Sequence, residues 1–183
     1  MLDYSQPDFY HFSEDSTQLA RYVVSEFEGC SEKKMALDIC AGCGVVGIEI
    51  NRMCQNIQFD FCEVQEVFLS HLEINLNNFA STWGMIIFDD FQNLGKKKYD
   101  LIVCNPPYFN VEEGRLPEDE KRAICRFFIQ GNMESLVLKI RETLSTNGVG
   151  YIVTPQIIEG AHMVKKFGEV TLFKVYSLVY KSK

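Results

Sequence analysis

Residues Asn105-Pro106-Pro107-Tyr108-Phe109 follow directly on a short apolar run, Tyr99 to Cys104, and leave that run few possible fates. The run reads as a buried β-strand. Neither proline has an N–H to give to a sheet ladder, and both have φ fixed. The strand therefore ends at Asn105, and the chain leaves in a stiff, extended turn. Such a turn sets a carboxamide, a carbonyl and two aromatic rings at the C-terminal edge of a sheet, where open α/β folds bind their ligands.

The remaining chain supplies the sheet. Ser13 to Ser16 offers helix caps before Leu19, Val23, Val24 and Phe27, and Gly29 ends that helix. Strands are predicted at Met35–Ile39, at Ile57–Cys62 with Glu63 at its end, at Met85–Phe88, at Tyr99–Cys104 and at Val149–Thr154. Helices are predicted between them: one carrying Val46, Ile48, Ile50 and Met53, one over Val67–Phe79 with Val67, Leu69, Leu72, Leu76 and Phe79 as its apolar set, and one over Glu134–Leu144 closed by Asn147-Gly148. A short helix is expected after Pro155, and two more strands between Gly168 and Tyr180. Strand and helix alternate, which predicts an α/β fold: a parallel sheet with helices on both faces. The 183 residues fit one domain, with a helical lead-in over about residues 1–30 and no separate target-recognition domain.

No apolar run reaches the roughly 20 residues of a membrane span, and no secretory signal is visible. Seven cysteines, an odd number scattered over strands and helices, fit reduced thiols in a cytoplasmic protein rather than a disulfide framework. Cys40 and Cys43 have CxxC spacing, but no second pair follows, so no metal site is expected. A net charge of −7 argues against a broad electrostatic grip on nucleic acid. Among the local basic groups, the segment from Arg115 through Arg122 to Arg126 is the best candidate for a polyanion.

Asp38-Ile39-Cys40-Ala41-Gly42-Cys43-Gly44 follows a strand and opens a helix, and its glycines let the backbone approach a ligand closely. Glu63 ends the next strand, 25 residues after Asp38, where a carboxylate accepts from ribose hydroxyls. Asp90, beside Phe91, ends the third and can accept from an adenine amino group. These features allow either a nicotinamide dinucleotide or S-adenosylmethionine. Gly42-x-Gly44-x-x-Gly47 fits the dinucleotide spacing, yet a carboxylate at Asp38 repels a pyrophosphate and attracts an ammonium group. The balance favours S-adenosylmethionine.

With these residues laid out, the chain resembles the Rossmann-like class I S-adenosylmethionine-dependent methyltransferases: the acidic strand end and glycine loop, Glu63, Asp90 and Asn-Pro-Pro-Tyr stand in that family's order and spacing. The likeness is closest to bacterial tRNA adenine-N6 methyltransferases, through Tyr10-x-Phe12-Ser13-x-Asp15-Ser16, Cys62 to Glu66, Asn105 to Phe109, Gly114 to Leu116 and Arg122 to Arg126. The resemblance implies a seven-stranded, mostly parallel sheet ending in an antiparallel strand pair. It places Asp15 and Ser16 at the methionine end of the cofactor, Glu63 at the ribose, and Asp90 with Phe91 at the adenine. Asp38, Cys40, Gly42, Gly44, Val64 and Asn105 complete the cofactor set. Two departures stand out: Cys40 occupies the place of a first glycine, and Phe127-Phe128 follows Arg126 where the group has His-Glu.

The proline turn has its own chemistry. An exocyclic adenine nitrogen is a poor nucleophile because its lone pair is delocalised into the ring. Acceptors on its two N–H groups favour a pyramidal nitrogen, and the Asn105 side-chain oxygen and the Pro106 carbonyl suit that task, with Pro107 stiffening the turn. Tyr108 and Phe109 are candidates to stack on the base, and Arg115, Arg122 and Arg126 to hold its backbone. The expected activity is amino-group methylation, foremost of adenine N6 in RNA or DNA, RNA more than DNA, with a partner subunit or homodimer for target recognition. A protein glutamine-N5 methyltransferase of the release-factor type uses the same motif and is the second expectation; a cofactor-binding scaffold is the third.

Overall fold

Along β4 (Tyr99–Cys104) consecutive side chains enter different cores. Leu101 and Val103 join one apolar cluster, Ile102 and Cys104 another, and all four are fully buried. A strand covered on both faces reads as a continuous apolar run, which is why this one was recognisable without alternation. The computed structural model describes residues 2–107, 109–110, 127–128 and 131–177.

In chain order the remaining elements are α1 (Glu14–Phe27), β1 (Lys34–Ile39), α2 (Val45–Met53), β2 (Ile57–Glu63), α3 (Glu66–Phe79), β3 (Trp83–Phe88), a 3-10 turn (Phe91–Asn93), and, after β4, β5 (Phe109–Asn110), β6 (Phe127–Phe128), α4 (Met133–Thr143), β7 (Leu144–Thr154), β8 (His162–Phe167) and β9 (Val170–Tyr176). The main sheet has seven strands in the order β3-β2-β1-β4-β7-β9-β8, and β5 pairs separately with β6. The first five are parallel; β9 runs antiparallel to both β7 and β8. Leu19, Val23, Ile50, Leu72 and Leu76 bring α1, α2 and α3 onto one face, and Leu136 and Ile140 bring α4 onto the other. Each such side chain, removed from water, stabilises the fold by about 1.5–3 kcal/mol.

Strand order reverses between β1 and β4, so the carboxyl ends of these neighbours form the switch-point crevice. Register sets the depth of that crevice. Ile39 lies level with Cys62 on one side and Cys104 on the other, so Cys40, Glu63 and Asn105 emerge together.

Several expectations are corrected. No helix follows Pro155; the segment turns, with Gly160 at φ 68°, into β8, an edge strand whose exposed Met163, Lys165 and Lys166 hide any alternation. The antiparallel pair therefore closes at Gly168-Glu169 instead of lying wholly beyond it. Helix α4 stops at Thr143, before Asn147-Gly148, because β7 already pairs with β4 at Leu144. Met53 and Val67 are exposed, and Phe68 and Asn75 take the buried places on α3.

One buried acid shapes the edge of the sheet. Between Phe59 and Phe61, β2 has one residue against two on β3, a bulge that takes Met85 out of the ladder. Asp60, fully buried, accepts the Met85 N–H with Oδ1 at 3.0 Å, and the Tyr99 hydroxyl and Lys97 ammonium with Oδ2 at 2.7 and 2.5 Å. Gly84 makes room for this carboxylate, since a Cβ there would lie 2.0 Å from Asp60 Oδ1.

Candidate functional site

The loop after β1 is built from unusual backbone. Cys40, Gly42 and Gly44 have φ of 58°, 53° and 81°. Gly44 begins α2 in that conformation, and a Cβ on it would come within 2.5 Å of Leu72. Cys40 is the one non-glycine residue at positive φ among those described, a conformation costing on the order of 1–3 kcal/mol. A glycine at this place would carry no such strain, which gives the departure at Cys40 its physical content. Its thiol hydrogen-bonds with Cys104, and that contact together with burial pushes its pKa well up, so it packs as a neutral group.

Asp38 lies beneath the loop, 1% exposed, with Oδ2 accepting the Gly47 N–H at 2.9 Å. Burial raises its pKa to about 8; the Gly47 N–H opposes the rise and the neighbouring Glu63 adds to it. Because the folded value lies above the usual carboxylate range, Asp38 favours folding most at low pH, and that contribution fades as pH climbs through about 8. Glu63, also buried, accepts the Gly42 N–H with Oε2 at 2.7 Å and the Gln65 N–H with Oε1 at 2.8 Å. Burial raises its pKa as well, against the pull of these N–H groups. Glu63 thus ties the glycine loop to β2, and a carboxylate with about four acceptor directions retains capacity for a ligand hydroxyl.

Asp90 caps the 3-10 turn, its Oδ1 accepting the Gln92 N–H at 2.8 Å. The Phe91 ring is buried in the cluster that includes Leu94, Met133 and Leu136, so its route to a ligand is the backbone. Val64, 38% exposed, and Phe88, level with Glu63 and 55% exposed, are apolar side chains open to solvent at this edge.

Asn105 stands half-buried just past β4, with buried Pro106 behind it. Its Nδ2 donates to Ser16 Oγ at 2.9 Å, joining the proline turn to the first turn of α1 across 89 residues. Asp15, beside Ser16, is half-buried. Tyr108, Arg115, Arg122 and Arg126 lie outside the described residues, as does the side chain of Phe109.

Sequence reasoning missed one polar residue that organises this edge. Asn75 is fully buried on the apolar face of α3. Its Nδ2 donates to Cys43 O and to Ser5 O, both at 2.9 Å, and its Oδ1 accepts the Ser5 N–H at 2.8 Å. Ser5 Oγ also meets His71, and Tyr4 reaches Glu49. Residues 4 to 12 are thereby strapped over α2 and α3, with Tyr10 edge-on to Phe68 at 5.0 Å. The available signal was a polar residue at the spacing of an apolar stripe.

The described strand ends therefore present Asp38, Glu63, Asp90 and the carboxamide of Asn105, with no lysine or arginine among residues 38–44, 63–65, 89–91 and 105–107. This donor set suits a cationic ligand bearing hydroxyls and an amino group, and it disfavours a pyrophosphate.

A family model described as methyltransferase small domain matches residues 12–177. The tRNA1(Val) (adenine(37)-N6)-methyltransferase of Flavobacterium psychrophilum is 30% identical over 125 residues, 65% of this chain and 52% of that protein. The release factor glutamine methyltransferase of Chlamydia trachomatis is 27% identical over 91 residues, 50% of this chain and 31% of that one. Among solved structures, the 16S rRNA N2 G1207 methyltransferase of Thermus thermophilus, in complex with AdoMet and guanosine, matches with a TM-score of 0.65 at 18% identity, over 91% of this chain and 44% of that one. That likeness bears on the fold. The chain spans about half the length of the curated relatives it matches.

Proposed function

Because the chain belongs to the methyltransferase small domain family, we propose that it methylates an exocyclic amino group, adenine N6 of a tRNA, with S-adenosylmethionine as donor. The observation that carries this reading is the carboxamide of Asn105, held by Ser16 at the switch point of the sheet, just past the strand that pairs with the Asp38 strand. The name of the Flavobacterium relative supports the base and the RNA.

Asp38 would lie toward the cofactor's ammonium group, Glu63 toward its ribose, Asp90 with the Phe91 backbone and Val64 toward its adenine, and the loop of Cys40, Gly42 and Gly44 along its length. When bound, the cofactor supplies a methyl group already activated on a sulfonium. The protein's part is positioning. Asn105 Oδ1 and the Pro106 carbonyl accept the two N–H groups of the target amine, and the rigid prolines hold these acceptors in place. The amine proton becomes acidic only as the new bond forms, so no strong general base is needed. Tyr108 and Phe109 are assigned to the base, and Arg115, Arg122 and Arg126 to the phosphates; with a net charge of −7, affinity for RNA rests on such a local patch or on a second subunit. No helix among the described residues is long and apolar enough to cross a membrane.

A second reading, methylation of a protein glutamine, is favoured by the match to the release factor enzyme. Incubation with labelled S-adenosylmethionine and separate RNA, DNA and protein fractions decides between them. Label in RNA is the expected result. Label in protein and none in RNA overturns the tRNA reading in favour of the second, and no label in any fraction overturns both.

Cofactor binding carries a pH signature. Asp38 holds its proton below about pH 8. A cation settling beside it drives that proton off, so affinity should fall about tenfold per pH unit below that value. Calorimetry at pH 6.5 in buffers of different ionisation enthalpy should register close to one proton released per cofactor bound. Heats independent of buffer would show that no proton leaves Asp38 on binding.

A further inference from the structure

We propose that Ser16 is a positioning residue for Asn105 rather than a cofactor contact, anchoring the carboxamide at the switch point where the target amine is to be held. The proposal rests on the reading of Asn105 given above. Ser16 occupies the third position of α1, where a side chain ordinarily turns back to the backbone of the N-cap residue. Here the N-cap, Ser13, makes no side-chain cap, and the Ser16 hydroxyl accepts from Asn105 Nδ2 at 2.9 Å. Its neighbour Thr17 shows the local alternative, with Oγ1 donating back to Glu14 O at 2.8 Å.

Ser16 is itself held still. It is 5% exposed, and one turn further on Leu19, Ala20 and Val23 are buried in the cluster that contains Val103 of β4 and Val153 of β7. The helix that carries Ser16 is thus packed on α2 and β7, in the same core as the strand that precedes Asn105. A carboxamide is planar, with its N–H₂ and oxygen on opposite sides. With Nδ2 engaged at Ser16, Oδ1 lies on the side of the carboxamide away from that contact. Without the anchor, the carboxamide is free to turn about its side-chain bonds, and the geometry offered to the amine is lost.

The test is Ser16→Ala, measured alone and in the Asn105→Ala background. Alanine is the best helix former, so α1 and the fold should persist, as circular dichroism and thermal melting will show. The expected result is a fall in kcat of about 10–100-fold with the dissociation constant of S-adenosylmethionine within about twofold, because an orienting contact acts on the reacting geometry and not on cofactor affinity. In the Asn105→Ala background the same change should have no further effect. Weakened cofactor binding with kcat unchanged, or an equal loss in both backgrounds, overturns the proposal.

A second readout does not depend on turnover. The Asn105 side-chain N–H₂ resonances, assigned by their loss in Asn105→Ala, should exchange slowly in the parent and quickly in Ser16→Ala, while Ser16→Thr retains slow exchange. If the parent transfers methyl to no substrate but this protection behaves as described, the reaction assignment fails and the Ser16 contact stands. Unprotected Asn105 resonances in the parent overturn the contact itself.

Discussion

Asn105→Ala is expected to lower the rate of methyl transfer by about 10²–10³-fold while leaving affinity for S-adenosylmethionine within a few-fold of the parent. The size follows from removing a preorganised acceptor aimed at a group whose N–H bonds polarise as the methyl arrives. Cofactor affinity should survive because Asp38, Glu63 and the glycine loop are secured by their own hydrogen bonds with Gly47, Gln65 and Gly42. Single-turnover transfer from labelled cofactor and calorimetric titration measure the two quantities separately. If the variant keeps more than about a tenth of the parent rate, the carboxamide is not the orienting group.

The largest loss of stability is expected away from the site, at Asp60. Asp60→Ala removes the one carboxylate that accepts from Met85, Tyr99 and Lys97. The Met85 N–H and the Tyr99 hydroxyl are left without that acceptor, and a cavity opens between β2 and β3. A cost of about 3–5 kcal/mol is expected, a large part of the 5–15 kcal/mol that ordinarily separates folded from unfolded protein. Lys97→Ala should cost under about 1 kcal/mol, since its side chain is 43% exposed and water can replace the partner. Urea titration monitored by circular dichroism gives both values. Equal midpoints for Asp60→Ala and the parent would mean that the bulge holds without its acid. Gly84→Ala belongs with the larger effect, because the added Cβ displaces the carboxylate.

These two residues mark what could and could not be read from the chain. Asn105 announced itself through local chemistry, a carboxamide pinned between an apolar run and two prolines. Asp38 and Glu63 were legible for the same reason, as acids that break apolar strands where a parallel sheet presents its ligand edge. Asp60 sits in the apolar strand Ile57–Glu63 with nothing local to explain it, and its partners are 25 to 39 residues away. Asn75 was hidden likewise, with its partners at Ser5 and Cys43. Ser16 was noticed, but for its neighbours in sequence and not for Asn105. The parallel order of strands was legible from alternation, whereas β8 was displaced because this edge strand buries only Val164 and Phe167 in part, too little to give an apolar period.

The strap over α2 and α3 bears on the order in which the molecule can mature. Its clamp joins Ser5 to Asn75 across 70 residues, and the clasp between Ser16 and Asn105 spans 89. Closing loops of that length is slow compared with forming helices or neighbouring strands. Residues 4 to 12 precede α3 in the chain yet must wait until it exists to dock, and Asn105 must wait for both α1 and β4. The glycine loop, hung from Asn75 through Cys43, is therefore finished near the end of folding, and the crevice becomes competent only when the chain around it is already a sheet.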